Sequence, residues 1–207
     1  SWDHLRTINP RLVYCAISGY GQSGPMHKLP AYDQIIQGQS GLMSVTGSAD
    51  TAPLRAGFPV CDTIGGLTAA MAVSAALAGP KETRQGRFLD ISMLEATLAA
   101  MGWVVSDYLI AGKIPIANGN ENATAAPSGA FATGDGLLNI AANKQEQWEA
   151  LARHLGCEEL LRHEDYADRE SRKQNRLTLK AELEKYLQAK SASQWADELS
   201  ALGIPAG

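Results

Sequence analysis

The run Leu12–Ile17 (LVYCAI) constrains the fold more than any other part of this sequence. Its residues are apolar without a break, with Pro10 before them and Gly19 after, so they do not alternate as a half-solvated strand does. They fit a strand buried on both faces, the position of strands in parallel sheets covered by helices. A glycine-rich loop follows, Ser18–Pro25 (SGYGQSGP), and Tyr32–Gly41 predicts a short helix. Asp62 then precedes the Ala-rich stretch 63–79 (TIGGLTAAMAVSAALAG), which predicts a buried helix closed by Gly79-Pro80. Phe88–Met93 alternates like a strand, and Glu95–Ala111 predicts a second long apolar helix. Strands separated by helices place this part of the chain in the α/β class, with a parallel sheet.

Charge separates a second region. Residues 1–128 hold 17 of the 40 charged residues, and the shorter stretch 129–207 holds the other 23. Asp135-Gly136, between Ala130–Thr133 and Leu137–Ala142, predicts a two-residue hairpin. Three amphipathic helices are expected after it. The first carries Trp148, Leu151, Ala152 and Leu155 and stops at Gly156. The second carries Leu179, Leu183, Tyr186 and Leu187. The third has Ser191 and Gln194 as a capping box before Trp195, Leu199 and Leu202, and ends at Gly203. The expected organisation is a large-domain portion over residues 1–117 and a small α+β domain over 118–207, with a linker at about 112–128.

Several function classes are disfavoured. A net charge of −4 without clustered Lys or Arg argues against nucleic acid and anionic membrane surfaces. The most apolar run, Leu67–Gly79, is shorter than the roughly 20 residues a spanning helix needs, so no membrane is expected as a partner. The N-terminus SWDHLRTINPRL lacks a signal pattern. The missing initiator Met, and a C-terminus that stops just after Ile204-Pro205-Ala206, read as a piece of a longer chain. Cys15, Cys61 and Cys157 form no CxxC pair, which fits a reducing, cytoplasmic setting. His4, His27, His154 and His163 show no metal-ligand spacing and read as surface or boundary residues.

Two features could carry chemistry. The loop Ser18–Pro25 could cradle an anion, but it lacks a P-loop ending and reads more simply as a turn after a strand. Asp62 has two readings. As an N-cap it would stabilise the following helix by about 1 kcal/mol. As a nucleophile it would be kept ionised by the helix N-terminus and partly desolvated by apolar neighbours such as Ala56–Cys61. Gly65 and Gly66 each cost a helix roughly 1 kcal/mol relative to Ala, which suggests that something bulky approaches the backbone beside Asp62.

The motifs NPRLVYCAISGYGQSGP, AYDQ, Asp62-Thr63 with Gly65-Gly66, and GRFLDISMLEA occur in this order. So do FATGDGLLNIAANKQEQWEAL and the closing LGIPAG. Together they resemble the family III CoA-transferases (the CaiB/BaiF type, with formyl-CoA and carnitine CoA-transferases) over almost the whole chain. The resemblance implies a Rossmann-like large domain plus a small domain, in an interlocked homodimer. It implies that Asp62 is the nucleophile, acting through an aspartyl anhydride and an aspartyl-CoA thioester. Tyr32 matches a CoA-contacting tyrosine, Met93 a methionine lining the CoA site, and Ala31 is counted with them. The implied substrates are an acyl-CoA and a small carboxylic acid, with no permanently bound cofactor and no metal. The α-methylacyl-CoA racemases of the same superfamily are the nearest alternative, but their catalytic His would fall at Tyr32, and an ordinary phenol has a pKa near 10. A non-catalytic fragment or assembly module is a third reading. The stretch Asn118–Gly129 (NGNENATAAPSG) lacks the glycine run of the formyl-CoA branch, so that branch's acids are not carried over. The family's N-terminal segment is also missing, so apolar side chains around Leu12–Ile17 and Thr63–Gly79 are expected to be unusually exposed.

Overall fold

The computed structural model describes residues 1–80 and 85–207, which form two compact units, Ser1–Gly119 and Asn120–Gly207. In the first, helix α1 (Trp2–Ile8) leads into strand β1 (Val13–Ser18), and helix α2 (Asp33–Gln39) and a 3-10 turn at Leu42–Val45 follow. Helix α3 (Val60–Leu77), strand β2 (Arg87–Ser92) and helices α4 (Met93–Ala100) and α5 (Trp103–Ala111) complete it. β1 and β2 are parallel, in register from Val13 opposite Arg87 to Ser18 opposite Ser92. α3 lies against both strands, with α4 beside it. Its buried residues Cys61, Gly65 and Ala69 recur every fourth position, so only one stripe of the helix is covered.

The β1 strand is therefore not buried on both faces. None of its residues is buried, and Ile17 is half exposed. α3, expected to be buried, presents Leu67 and Met71 to solvent, and Leu77 is partly exposed. A two-stranded sheet covered by one stripe of a helix leaves these side chains open, as expected for a chain of this length. Helix α3 also starts seven residues before the apolar run Leu67–Gly79. By length and composition it could cross a membrane, the reverse of the sequence argument, although its covered stripe is that of a helix packed on a sheet.

The second apolar helix is not continuous. It breaks between α4 and α5, whose axes differ by 87°. Gly102 stands at the break with φ +50°, a backbone state that glycine adopts without a side-chain clash.

In the second unit, strands β3 (Ser128–Ala132) and β4 (Leu137–Ala141) form an antiparallel hairpin. The turn is centred one residue earlier than expected, on Gly134-Asp135, because the Thr133 N–H donates to the Gly136 carbonyl at 2.8 Å. Gly134 is needed there: a Cβ would come within 2.9 Å of the carbonyl oxygens of Gln188 and Lys190. Helix α6 (Gln145–Leu155) buries Trp148, Leu151, Ala152 and Leu155 and ends at Gly156 in the left-handed conformation. A 3-10 turn at Glu158–Arg162 and helix α7 (Arg169–Gln174) come next, neither of them anticipated. Helix α8 (Arg176–Leu187) buries Leu179, Leu183 and Leu187. Helix α9 (Ala192–Ala201) carries the expected Ser191/Gln194 capping box and buries Trp195 and Leu199, but Leu202 falls past its end and is half exposed. These faces close on Phe131, Leu138 and Ile140 of the hairpin to make one core. The architecture is mixed α/β, with one small parallel and one small antiparallel sheet.

Candidate active site

The segment leading into α3 has a capping problem. Pro59 occupies the N-cap and offers no side-chain acceptor, while the first N–H groups of any helix lack intrahelical partners. Asp33, in the first turn of α2 and buried, solves it from a distance. Its Oδ1 accepts the Cys61 N–H at 2.8 Å, and its Oδ2 accepts the Gln37 side-chain amide at 2.6 Å. The fully buried Gln37 in turn accepts the Ala56 N–H at 2.9 Å. Asp33 and Gln37 thus tie the chain between Ala56 and Cys61 to α2. In the sequence, Asp33 and its neighbour Gln34 stand out only as letters of the AYDQ motif. The usable signal was a helix start with proline at the cap and no Ser, Thr, Asn or Asp beside it.

Asp62 is the third residue of α3 rather than the one ahead of it, so it is not the N-cap. In the first turn it still lies in the favourable field of the helix N-terminus. It is exposed, and its carboxylate has no hydrogen-bond partner among the described residues. An open cleft of about 370 Å³ is lined by Asp62 together with Tyr32, Asp33, Gln34 and Arg55. Tyr32 and Asp62, thirty positions apart, therefore share one cleft. Tyr32 is 80% exposed, not a half-buried core tyrosine. The lining is polar, contrary to the apolar wall expected around Asp62, because the loop before α3 brings Arg55 to the cleft and α2 contributes Asp33 and Gln34.

Met93 is buried at the start of α4, one residue from Ser92, whose hydroxyl caps that helix by accepting the Glu95 N–H at 3.2 Å. It packs with Cys61 and Ile36, behind the helix that carries Asp62 rather than in the lining of the cleft. A Cβ on Gly65 would sit 3.1 Å from the Met93 Cγ, so the bulky neighbour inferred for this glycine is Met93 itself. Gly66 faces open space. Ala31, next to Tyr32, lies so close to Gly19 that a Cβ on Gly19 would overlap the Ala31 Cβ. The glycine loop thereby fixes the approach of the Ala31-Tyr32 segment. Its N–H groups are partly taken within the chain, since Gln22 donates to the Asp90 carboxylate at 2.8 Å.

Cys61 stands beside Asp62 but is no rival nucleophile. Burial pushes its thiol up from the ordinary range, against a hydrogen bond with Thr97 that lowers it, and the carboxylates of Asp33 and Asp62 push it further up. Thiol rather than thiolate is inert at neutral pH. Among the described residues no group of three His, Cys, Asp or Glu gathers as a metal site.

The profile of CoA-transferase family III matches residues 1–207. The acetyl-CoA:oxalate CoA-transferase of Acetobacter aceti is 34% identical over 208 residues, covering all of this chain and 54% of that protein. The succinate–glutarate CoA-transferase of Agrobacterium fabrum is 36% identical over 171 residues, covering 83% of this chain and 43% of that protein. A CaiB/BaiF family protein from Brucella suis superposes with a TM-score of 0.85 at 32% identity, over all of this chain and 55% of that one. The Rv3272 protein of Mycobacterium tuberculosis superposes at 0.86 with 27% identity, again over all of this chain and 55% of that one. The chain spans about half the length of the relatives it matches.

Proposed function

This chain belongs to CoA-transferase family III, and from that premise we propose that it carries the nucleophile of an acyl-CoA:carboxylate CoA-transferase. The observation that carries the proposal is the pairing of Asp62, exposed and unpartnered among the described residues in the first turn of α3, with Tyr32 in one cleft. The relatives named for transfer between CoA thioesters and small acids support it.

In this reading the Asp62 carboxylate attacks the thioester carbonyl carbon. The C–S bond breaks, leaving an acyl-aspartyl anhydride and CoA thiolate. The thiolate attacks the Asp62 carbonyl carbon of the anhydride, releasing the donor acid as its carboxylate and forming an aspartyl-CoA thioester. The acceptor carboxylate attacks that thioester and expels CoA thiolate. The thiolate then takes the acceptor acyl group from the second anhydride and regenerates Asp62. No proton is consumed, and the thioester's reactivity is conserved in covalent intermediates. Water has to be excluded at each stage. The cleft is open in this chain, so the reading places the missing cover on the rest of a longer protein and on a second copy in an interlocked homodimer. Half-exposed or more exposed apolar side chains on α5, among them Trp103, Leu109 and Ile110, support such cover. The β1–α3–β2 unit is read as part of a Rossmann-like sheet.

Ala31 and Tyr32 are assigned to the CoA side of the cleft. Met93 is assigned there through α3, whose close approach to it Gly65 permits. The test uses the full-length protein with acyl-CoA donors and a panel of carboxylic acids, followed by transfer of CoA. Incubation of an α-methyl acyl-CoA in deuterated water runs in parallel. Transfer without α-deuterium incorporation is expected. Exchange at the rate of turnover would instead establish a racemase-type proton transfer.

A further inference from the structure

We propose that Arg55 is a specificity-determining residue for the acid: it binds the second carboxylate of a dicarboxylic acid, the kind of acid in the names of the relatives above, free or as the acyl half of the thioester. The inference rests on the transfer reading above and adds to it the residue that reads the acid's remote end. Arg55 is the cation among the residues that line the cleft, which it shares with two carboxylates, Asp33 and Asp62. Its one ion-pair contact among the described residues is with Asp33 Oδ2, at the long distance of 3.8 Å. Both Asp33 oxygens already serve other partners, the Cys61 N–H and the Gln37 amide, each at 2.8 Å or less. The Arg55 side chain is half exposed, so its fork of donors remains open toward the cleft. Its placement is built rather than accidental, because the next residue, Ala56, donates its N–H to the buried Gln37 side chain at 2.9 Å.

The electrostatics also require such a cation. An acid approaching Asp62 brings negative charge toward two carboxylates. A monocarboxylate must overcome that repulsion at its reacting end alone. A dicarboxylate can place its remote carboxylate on the guanidinium, whose planar fork matches a carboxylate in two parallel hydrogen bonds. The remote contact then orients the near carboxylate on the reacting carbon, where position rather than raw affinity sets the rate.

The experiment compares full-length wild type with Arg55→Met and Arg55→Lys. Transfer is measured from one acyl-CoA donor to glutarate and to butyrate, and calorimetry measures binding of glutarate and of its monoamide. A charge-assisted hydrogen bond contributes about 1.5–3 kcal/mol, or roughly 10- to 150-fold. Arg55→Met should therefore lower kcat/KM for glutarate at least about tenfold more than for butyrate, with Arg55→Lys between. Wild type should bind glutarate more tightly than the monoamide, a difference lost in Arg55→Met. Equal losses toward both acids would overturn the inference and leave transfer standing. So would a rise confined to the KM of the CoA donor, which would place Arg55 on a CoA phosphate. If wild type transfers to no acid yet binds glutarate through Arg55, the transfer reading falls and the carboxylate site stands. If it does neither, both fall.

Discussion

Replacing Asp33 by Ala tests whether α2 holds the start of the catalytic helix. The substitution removes the acceptor of two buried donors, the Cys61 N–H at 2.8 Å and the Gln37 amide at 2.6 Å. Each hydrogen bond to a charged group contributes about 1.5–3 kcal/mol. The Gln37 amide keeps its weak contact with the Phe58 carbonyl at 3.4 Å, which offsets part of its share. The expected net loss is about 3 kcal/mol, centred on the first turn of α3. Asp33→Asn keeps the shape and one acceptor, but sets an amide donor against Gln37 or Cys61, for a loss of about 1–2 kcal/mol. Amide hydrogen exchange reads this locally, free of any assumption that the two units unfold together. Loss of about 3 kcal/mol should speed exchange at Cys61 by roughly 100-fold where its opening is local, with amides of α8 unchanged. Acceleration below about threefold would refute the reasoning, because the carboxylate would then not be the cap of α3.

Three further outcomes are expected. Gly19→Val should displace the Ala31-Tyr32 segment and raise the KM for acyl-CoA more than that for the acceptor acid, as steady-state kinetics with each substrate varied will read. Tyr32→Ala should show the same asymmetry without loss of thermal stability, since the ring is mostly exposed. In the second unit, Lys190 and then His154 hold Glu198 below the ordinary carboxylate range, and hydrogen bonds from Ser171 hold Asp168 below it. A depressed folded pKa means stability that is present above the unfolded value and lost as pH falls through the folded one. The melting temperature of this unit should therefore drop on acidification below the ordinary carboxylate range, with a shallower slope in Glu198→Gln.

The sequence was most legible where periodicity and caps act locally. The leucine and tryptophan stripes of α6 and α8, Trp195 and Leu199 of α9 and the Ser191/Gln194 box lie as patterned, because each helix packs its stripe on the same small core; Leu202 is the exception, past the end of α9. Legibility failed where tertiary partners decide. Proline at the cap of α3 concealed a helix start three residues earlier than expected, since its acceptor comes from Asp33, 28 positions away. Gly102 broke a helix that composition alone makes continuous. The hairpin turn slid by one residue because Gly134 must lie against the α8–α9 connection. At the cleft, the motif residues Tyr32 and Asp62 were legible as letters, while the charge around them was not. Arg55 enters that cleft only because buried Gln37 holds the chain beside it.

The central claim is that Asp62 becomes covalently linked to acyl and CoA groups during transfer. Full-length protein incubated with an acyl-CoA donor and no acceptor, then quenched with hydroxylamine or borohydride, should carry the modification on the peptide containing Asp62 by mass spectrometry. Asp62→Ala should abolish both the label and the transfer while keeping the fold by circular dichroism. A wild-type protein that turns over without label at Asp62, or an Asp62→Ala variant with near-normal turnover, would contradict the account.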